Sequence, residues 1–219
     1  MLRFLTAGES HGPELTAVLE GFPAGLTLDM DELNRQMARR QLGYGSGGRM
    51  KIEKDAVRIS AGYMNNQTTG GPLALHVTNR DFAKWRERDI APITVPRPGH
   101  ADLTGAVKYG YRELRLALER ASARETAVRV AVGALCQQLL AQFGITIGSY
   151  VVSIGQVTAV IPDDMPYPDR FAVAETNDVR CPVETAVPLM RQHISDIMQA
   201  KDTIGGVFEI VALGVPAGL

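Results

Sequence analysis

Residues 12–26, GPELTAVLEGFPAGL, align without a gap against residues 205–219, GGVFEIVALGVPAGL. Gly12/Gly205, Val18/Val211, Gly21/Gly214, Pro23/Pro216, Ala24/Ala217, Gly25/Gly218 and Leu26/Leu219 are identical. Proline and glycine are common in turns, so shared turn chemistry accounts for part of the match. The agreement is broader than that, and a repeated strand-and-turn unit implies a pseudo-symmetric architecture in which what followed the first copy also follows the second. The second copy coincides with Leu219. Residues 1–219 are therefore expected to form a single domain cut at the start of its second internal repeat, within a chain that continues.

The segments around the repeat mix helical and strand periodicity, which predicts an α+β fold. Thr16–Glu20 reads as a strand closed by the turn Gly21–Gly25. Asp29 with Glu32 three residues on reads as a helix N-cap, and Met30, Leu33 and Met37 share one face of a helix ending near Arg39-Arg40. A glycine-rich loop follows. Residues 57–60 and 73–77 read as strands separated by the turn Asn65-Asn66-Gln67, and Pro92, Pro96 and Pro98 exclude a helix through 90–102. Residues 114–120 look helical. Ser122 and Glu125 form a capping-box pattern opening a long helix whose stripe is Val128, Val132, Leu135, Leu139 and Phe143. Residues 145–157 read as a strand, 162–168 as a surface loop, 183–200 as a helix and 207–215 as a final strand.

Composition removes whole classes of function. The 23 basic and 24 acidic residues leave a formal charge of -1, so no global field favours nucleic acid or an anionic membrane. Aromatic content of 6% argues against base-stacking platforms. The apolar start is broken early by Gly8-Glu9, and no long apolar run follows, which reads as a cytoplasmic protein. Cys136 and Cys181 have no paired spacing for zinc or a redox dithiol and read as plain thiols.

Four stretches could carry chemistry. Gly8-Glu9-Ser10-His11-Gly12 places an acid, a hydroxyl and an imidazole in a sharp turn at a strand end, although a histidine in a turn is often only a hydrogen-bonded bystander. Arg97-Pro98-Gly99-His100-Ala101-Asp102 gathers a cation, a titratable ring and a carboxylate on a rigid loop, where a surface ion pair is the plainer alternative. Arg120-Ala121-Ser122-Ala123-Arg124-Glu125-Thr126 flanks a helix start with arginines, equally compatible with an anion site and with capping alone. Arg39-Arg40, the glycine loop and Arg49 match neither the P-loop nor the dinucleotide fingerprint, and a single short copy gives RNA binding little support. His76 and His193 read as structural or solvated.

Together these motifs resemble the chorismate synthase family. Gly8–Gly12 running into Val18-Leu19-Glu20-Gly21-Phe22-Pro23, the loop 97–102, and 120–126 running into Val130-Ala131-Val132-Gly133-Ala134 match its signatures in order. The resemblance implies a β-α-β sandwich with pseudo-symmetric strand/helix repeats, here incomplete. It also implies a flavin-dependent lyase of the shikimate pathway of aromatic amino-acid biosynthesis: anti-1,4-elimination of phosphate from 5-enolpyruvylshikimate 3-phosphate, giving chorismate, with reduced FMN and no net redox change. By position, His11 would protonate the leaving phosphate and His100 the flavin. Ser10, Arg40, Arg49 and Arg124 would hold the substrate. Arg120, Ala121 and Ser122 would contact FMN. A homotetramer follows from the same resemblance, and NADPH is a candidate reductant. Ser46 stands where the family usually has another arginine, and the family's catalytic aspartate belongs to the part beyond residue 219. A catalytically silent FMN- or phospho-ligand-binding fragment is therefore the alternative.

Overall fold

The computed structural model describes residues 1–45, 53–86, 88 and 90–219. The chain divides into two compact units, the first comprising Met1–Arg40 and Gly48–Gln138, the second Gln41–Gly47 and Leu139–Leu219.

In the first unit, β1 (Arg3–Ala7) pairs antiparallel with β2 (Glu14–Glu20), Arg3 facing Glu20 and Ala7 facing Thr16. Alternation sets the faces of β2: Leu15, Ala17 and Leu19 are fully buried, while Val18 and Glu20 turn outward. After β3 (Ala24–Thr27), Asp29 caps α1 (Met30–Arg39) by accepting from the Glu32 N–H, as the sequence predicts. Leu33 and Met37 fill its buried face. Next come β4 (Val57–Ala61), β5 (Tyr63–Met64), β6 (Gln67–Thr69) and β7 (Leu73–Thr78). The main sheet has the order β1-β2-β7-β4, and a smaller one the order β3-β6-β5. Asn65 and Asn66 both take positive φ, 50° and 62°, which is the chemistry of a tight hairpin turn between β5 and β6.

Four helices complete this unit: α2 (Phe82–Trp85), α3 (Asp102–Tyr109), α4 (Arg115–Ala121) and α5 (Thr126–Ala141), whose last residues belong to the second unit. The proline-rich segment is free of helix from residue 90 up to α3, as expected. Helix α3 itself was not legible, because Gly105 interrupts its pattern. That glycine is required by packing, since a Cβ there would lie 2.3 Å from the Ala117 Cβ of α4. Val128, Val132 and Leu135 of the α5 stripe are buried, as are Leu33 of α1 and Leu75 and Val77 of β7, each such side chain contributing roughly 1.5–3 kcal/mol. The stripe does not extend to Phe143, which lies past the helix end and is 70% exposed.

The second unit contains β8 (Thr146–Ile154), β9 (Val157–Thr158), α6 (Tyr167–Ala174), α7 (Val187–Gln199) and β10 (Gly206–Leu213), with sheet order β10-β8-β9. Gly155, at φ 55°, splits the single strand expected over 145–157 into β8 and β9. Helix α6 starts inside the expected 162–168 loop, because Pro168 sits in its first turn where no N–H is needed. Cys181, Val187 and Met190 are buried together with Val179, Ala159 and Ala186. Both cysteines are free thiols, each pushed above its usual range by burial.

The repeat has a geometric counterpart. Gly21 follows β2 at φ 83°, and a Cβ on it would lie 2.5 Å from the Met1 carbonyl; Gly214 follows β10 at φ 76°, and a Cβ on it would lie 2.4 Å from the Gly144 carbonyl. Register agrees, with Arg3 opposite Glu20 in one pair and Thr146 opposite Leu213 in the other. In each, an antiparallel strand pair is closed by a glycine against a carbonyl two residues before its partner strand begins.

Candidate active site

The loop joining β1 to β2, residues 8–13, carries His11, and it is held from three sides. Gly8 opens it at φ 106°, where a Cβ would strike the Glu14 carbonyl at 2.5 Å. The Ser10 N–H donates to the Glu119 carbonyl at 3.0 Å, and the Ser122 hydroxyl donates to Ser10 Oγ at 3.0 Å. Glu119, on α4, grips His11 twice: Oε2 accepts from the backbone N–H and Oε1 lies 2.8 Å from ring Nδ1, at 2.8 Å each. With Nδ1 committed to a carboxylate, Nε2 becomes the nitrogen for proton exchange. The ring packs at 4.0 Å against Trp85 and lines a cavity of about 260 Å³ with Glu9, Phe82, Arg115 and Glu119.

The third support is Asn79, at the end of β7 and 3% exposed. Its amide donates to the Glu9 and Gly12 carbonyls at 3.1 and 2.8 Å, and its oxygen accepts from Arg124 Nε at 2.7 Å. Arg124, also 3% exposed, donates further to both Asp55 oxygens at 2.7 and 2.8 Å and to the Thr78 carbonyl at 3.2 Å. The anion that Arg124 is expected to hold is thus, in this structure, the buried Asp55 carboxylate. Arg40 reaches the same carboxylate at 3.3 Å and also donates to Thr126 Oγ and the Ala123 carbonyl. Glu53 sits 3.8 Å from Arg124 and accepts from the Arg80 and Asp81 N–H groups. Buried charges balanced in this way fix geometry, because removing one partner strands the other.

His100 is held in the same manner as His11. Its Nδ1 lies 2.6 Å from Asp102 Oδ1, and Asp102, completely buried, also accepts from the Arg97 backbone and side chain at 3.1, 2.9 and 3.2 Å. The Arg97 hydrogen bond outweighs burial and, with His100, holds the Asp102 carboxyl well below the usual carboxylate range. Arg97 is in turn raised, mainly by Asp102, with a further contribution from the charge of Glu119.

A second cavity, of about 540 Å³, lies on α3 and α4 and is lined by Ala101, Lys108, Tyr109, Tyr111, Arg120 and Ala121 among others. Glu9 lines both cavities. The rings of Tyr109 and Tyr111 stack at 5.3 Å. Arg120 also ties α4 to β1, donating to the Thr6 carbonyl and hydroxyl at 2.9 and 2.7 Å and to the Gly8 carbonyl at 3.3 Å. Ser122 accepts from the Arg124 N–H at 3.2 Å. The expected capping box closes only on that side, because Glu125 turns to Thr6 and Arg129 and the chain makes a 3-10 turn at Ala123–Glu125 before α5. Ser10, His11, Arg120 and Ser122 are thus gathered around α4, His100 stands at the start of α3, and Arg40 and Arg124 converge on Asp55. Arg49 and Ser46 lie outside the described residues.

Sequence reasoning missed Glu119, Asn79, Asp55 and Glu53. Glu119 directly precedes the quoted 120–126 motif, one position outside it. Asn79 is a lone amide at the end of an apolar strand, a place where an orphan carbonyl of a neighbouring loop needs a donor.

The model of the family described as chorismate synthase matches residues 2–219. Chorismate synthase of Aquifex aeolicus (strain VF5) is 49% identical over the whole chain, and that of Enterococcus faecalis (strain ATCC 700802 / V583) is 46% identical. In both cases the chain spans 59% of the relative's length. A solved structure titled "Crystal Structure of Chorismate Synthase" superposes with a TM-score of 0.81 at 43% identity, covering 98% of this chain and 58% of that one.

Proposed function

The chain belongs to the chorismate synthase family, and we propose that it supplies the histidine-bearing part of a site for anti-1,4-elimination of phosphate from 5-enolpyruvylshikimate 3-phosphate, giving chorismate. The observation that carries this reading is the pair of imidazoles, His11 and His100, each held at Nδ1 by a carboxylate. A carboxylate on Nδ1 orients the ring and leaves Nε2 for proton exchange, which is the geometry that a proton donor toward a departing phosphate needs. His11 fits that task, with Ser10 beside it as a hydroxyl ligand. His100, held at Nδ1 by Asp102, would serve the cofactor's side of the site through Nε2.

The residues present suit a flavin mononucleotide. Stacked tyrosines 109 and 111 offer a flat aromatic wall, and Lys108 and Arg120 offer cations for a phosphate. Arg120, Ala121 and Ser122 at the end of α4 would hold it. When bound, reduced FMN supplies the electron whose transient loan helps expel phosphate without net redox change. The protein's share is to position charge and deliver protons. Arg40 is the reading's substrate cation together with Arg49, while Arg124 acts through Asn79 on the His11 loop.

A second reading is binding of FMN or a phosphorylated ligand without turnover. It is favoured by the commitment of Arg124 to the buried Asp55 carboxylate. Anaerobic assay of chorismate formation with reduced FMN, alongside FMN titration, separates the two. Turnover that falls by about 10²–10⁴-fold in His11→Ala and His100→Ala supports the first reading. FMN binding with no chorismate supports the second, and absence of both overturns them together.

A further inference from the structure

The outward face of the main sheet carries a second alignment of hydroxyl, imidazole and carboxylate. His76 lies on β7, flanked in register by Thr16 on β2 and Arg58 on β4. Its Nδ1 is 2.8 Å from Glu14 Oε1, and its Nε2 is 2.8 Å from Ser60 Oγ. The Thr16 hydroxyl approaches Nδ1 at 3.4 Å, and Arg58 reaches the other Glu14 oxygen at the same distance. A carboxylate on Nδ1 fixes the tautomer with its proton there, so Nε2 presents its lone pair to the Ser60 O–H. This order of nucleophile, base and orienting acid defines an activated serine by geometry, whatever the fold.

The backbone contributes to this alignment. Pairing of β4 with β7 shifts register between Ile59 and Ala61, which makes Ser60 the extra residue of a bulge. Bulges re-aim side chains and interrupt an otherwise regular ladder. Ser60 is exposed, while the His76 side chain is 16% and Glu14 34% exposed, so an electrophile from solvent can reach the hydroxyl while the base stays held. All three residues sit on neighbouring strands, which are stiffer supports than loops.

We propose that Ser60 is a nucleophile toward small activated carboxylic esters, with His76 as its base and Glu14 as the residue that orients the base. Ser60 Oγ forms a bond to the ester carbonyl carbon as its proton passes to His76 Nε2. The carbon–oxygen bond to the leaving group then breaks, and the departing alkoxide or phenoxide takes that proton. The products are an acyl-serine and the free alcohol, with no change in oxidation state. Among the described residues β4 is an edge strand of the order β1-β2-β7-β4, and no proposed step carries the acyl group on to water. The chemistry is therefore expected to stop at one acyl group per chain.

The test uses p-nitrophenyl acetate on the 219-residue chain, read by intact mass and by peptide mapping. Acetylation at Ser60 in the native chain, lost in urea-unfolded protein and slowed about 10²-fold or more in His76→Gln, is the expected result. Ser60→Ala, a substitution at an exposed site, should lose that label. Labelling confined to lysines or the N-terminus, or an unchanged Ser60 rate in His76→Gln, overturns the proposal and leaves a cross-strand polar network only.

Discussion

Removing the Asn79 amide tests how far the His11 loop depends on this one of its three supports. In Asn79→Ala the Gly12 carbonyl loses its side-chain donor, the Glu9 carbonyl keeps only the Gly12 N–H, and Arg124 Nε loses its acceptor, three bonds of 3.1, 2.8 and 2.7 Å in all. Two neutral hydrogen bonds contribute about 0.5–1.5 kcal/mol each, and one to a charged group about 1.5–3 kcal/mol, so the loss should be about 2.5–6 kcal/mol. The position is 3% exposed, so water cannot readily replace what is removed. Urea unfolding followed by fluorescence reads the result directly, because Trp85 is the only tryptophan and packs at 4.0 Å on His11. Asn79→Asp sharpens the experiment, since it keeps the acceptor for Arg124 but turns an oxygen toward two carbonyls. A cost below about 1 kcal/mol in Asn79→Ala, or wild-type stability in Asn79→Asp, refutes the argument that the amide's donors anchor the loop.

Two further perturbations follow from the geometry. Asp102 has its carboxyl held below its reference value of 3.8, chiefly by the Arg97 hydrogen bond, so its stabilising effect is complete above that value and is lost as pH falls below it toward the folded-state value. Glu32, Glu113 and Glu125 are lowered too and act in the same sense, so Asp102→Asn should flatten, without abolishing, the fall in stability from about pH 5 downward in acid titration of Trp85 fluorescence; an unchanged slope would remove Asp102 from the account. At the repeat, Gly21→Ala and Gly214→Ala each force a left-handed φ on alanine and a Cβ to within 2.5 and 2.4 Å of a carbonyl, so each should cost more than the roughly 1–2 kcal/mol of conformational strain alone. Gly25→Ala, at φ 80° with nothing within 4 Å of its Cβ, should cost only the strain, and hydrogen exchange of the adjoining strands showing equal effects at all three sites would contradict the proposed closure.

Most of the strand frame was legible because its signals are local. The alternation of Leu15, Ala17 and Leu19, the Asp29 cap and the paired Asn65-Asn66 turn each depend on neighbours within a few residues. The helices α3 and α6 escaped because Gly105 and Pro168 are poor helix formers in isolation and are accommodated by a close helix crossing and by a first-turn position respectively. Phe143 failed for the opposite reason: its spacing fits the stripe, but the helix ends before reaching it. At the site, the histidines stood out by their chemistry and their glycine-rich surroundings. Their partners did not, because Glu119 is 108 residues from His11 and Asn79 lies 45 from Arg124, separations that only the fold closes.

The comparison of the two strand pairs shows where site and frame part company. Both pairs end on a left-handed glycine against a carbonyl two residues before the partner strand begins, and they differ in that the pairing of β10 with β8 shifts register between Val207 and Phe208. What also differs is the connection: residues 8–13 join β1 to β2, whereas residues 155–205 lead from β8 to β10. A short connection across an antiparallel pair has few backbone groups of its own to satisfy, so it can be gripped by a handful of outside donors and acceptors. In the first unit Asn79 and Glu119 provide them, and the result is an imidazole held by its backbone and its ring at once. In the second unit the long connection folds into β9, α6 and α7 and forms its own buried cluster. The repeat thus accounts for the frame, and the departure from the repeat places His11.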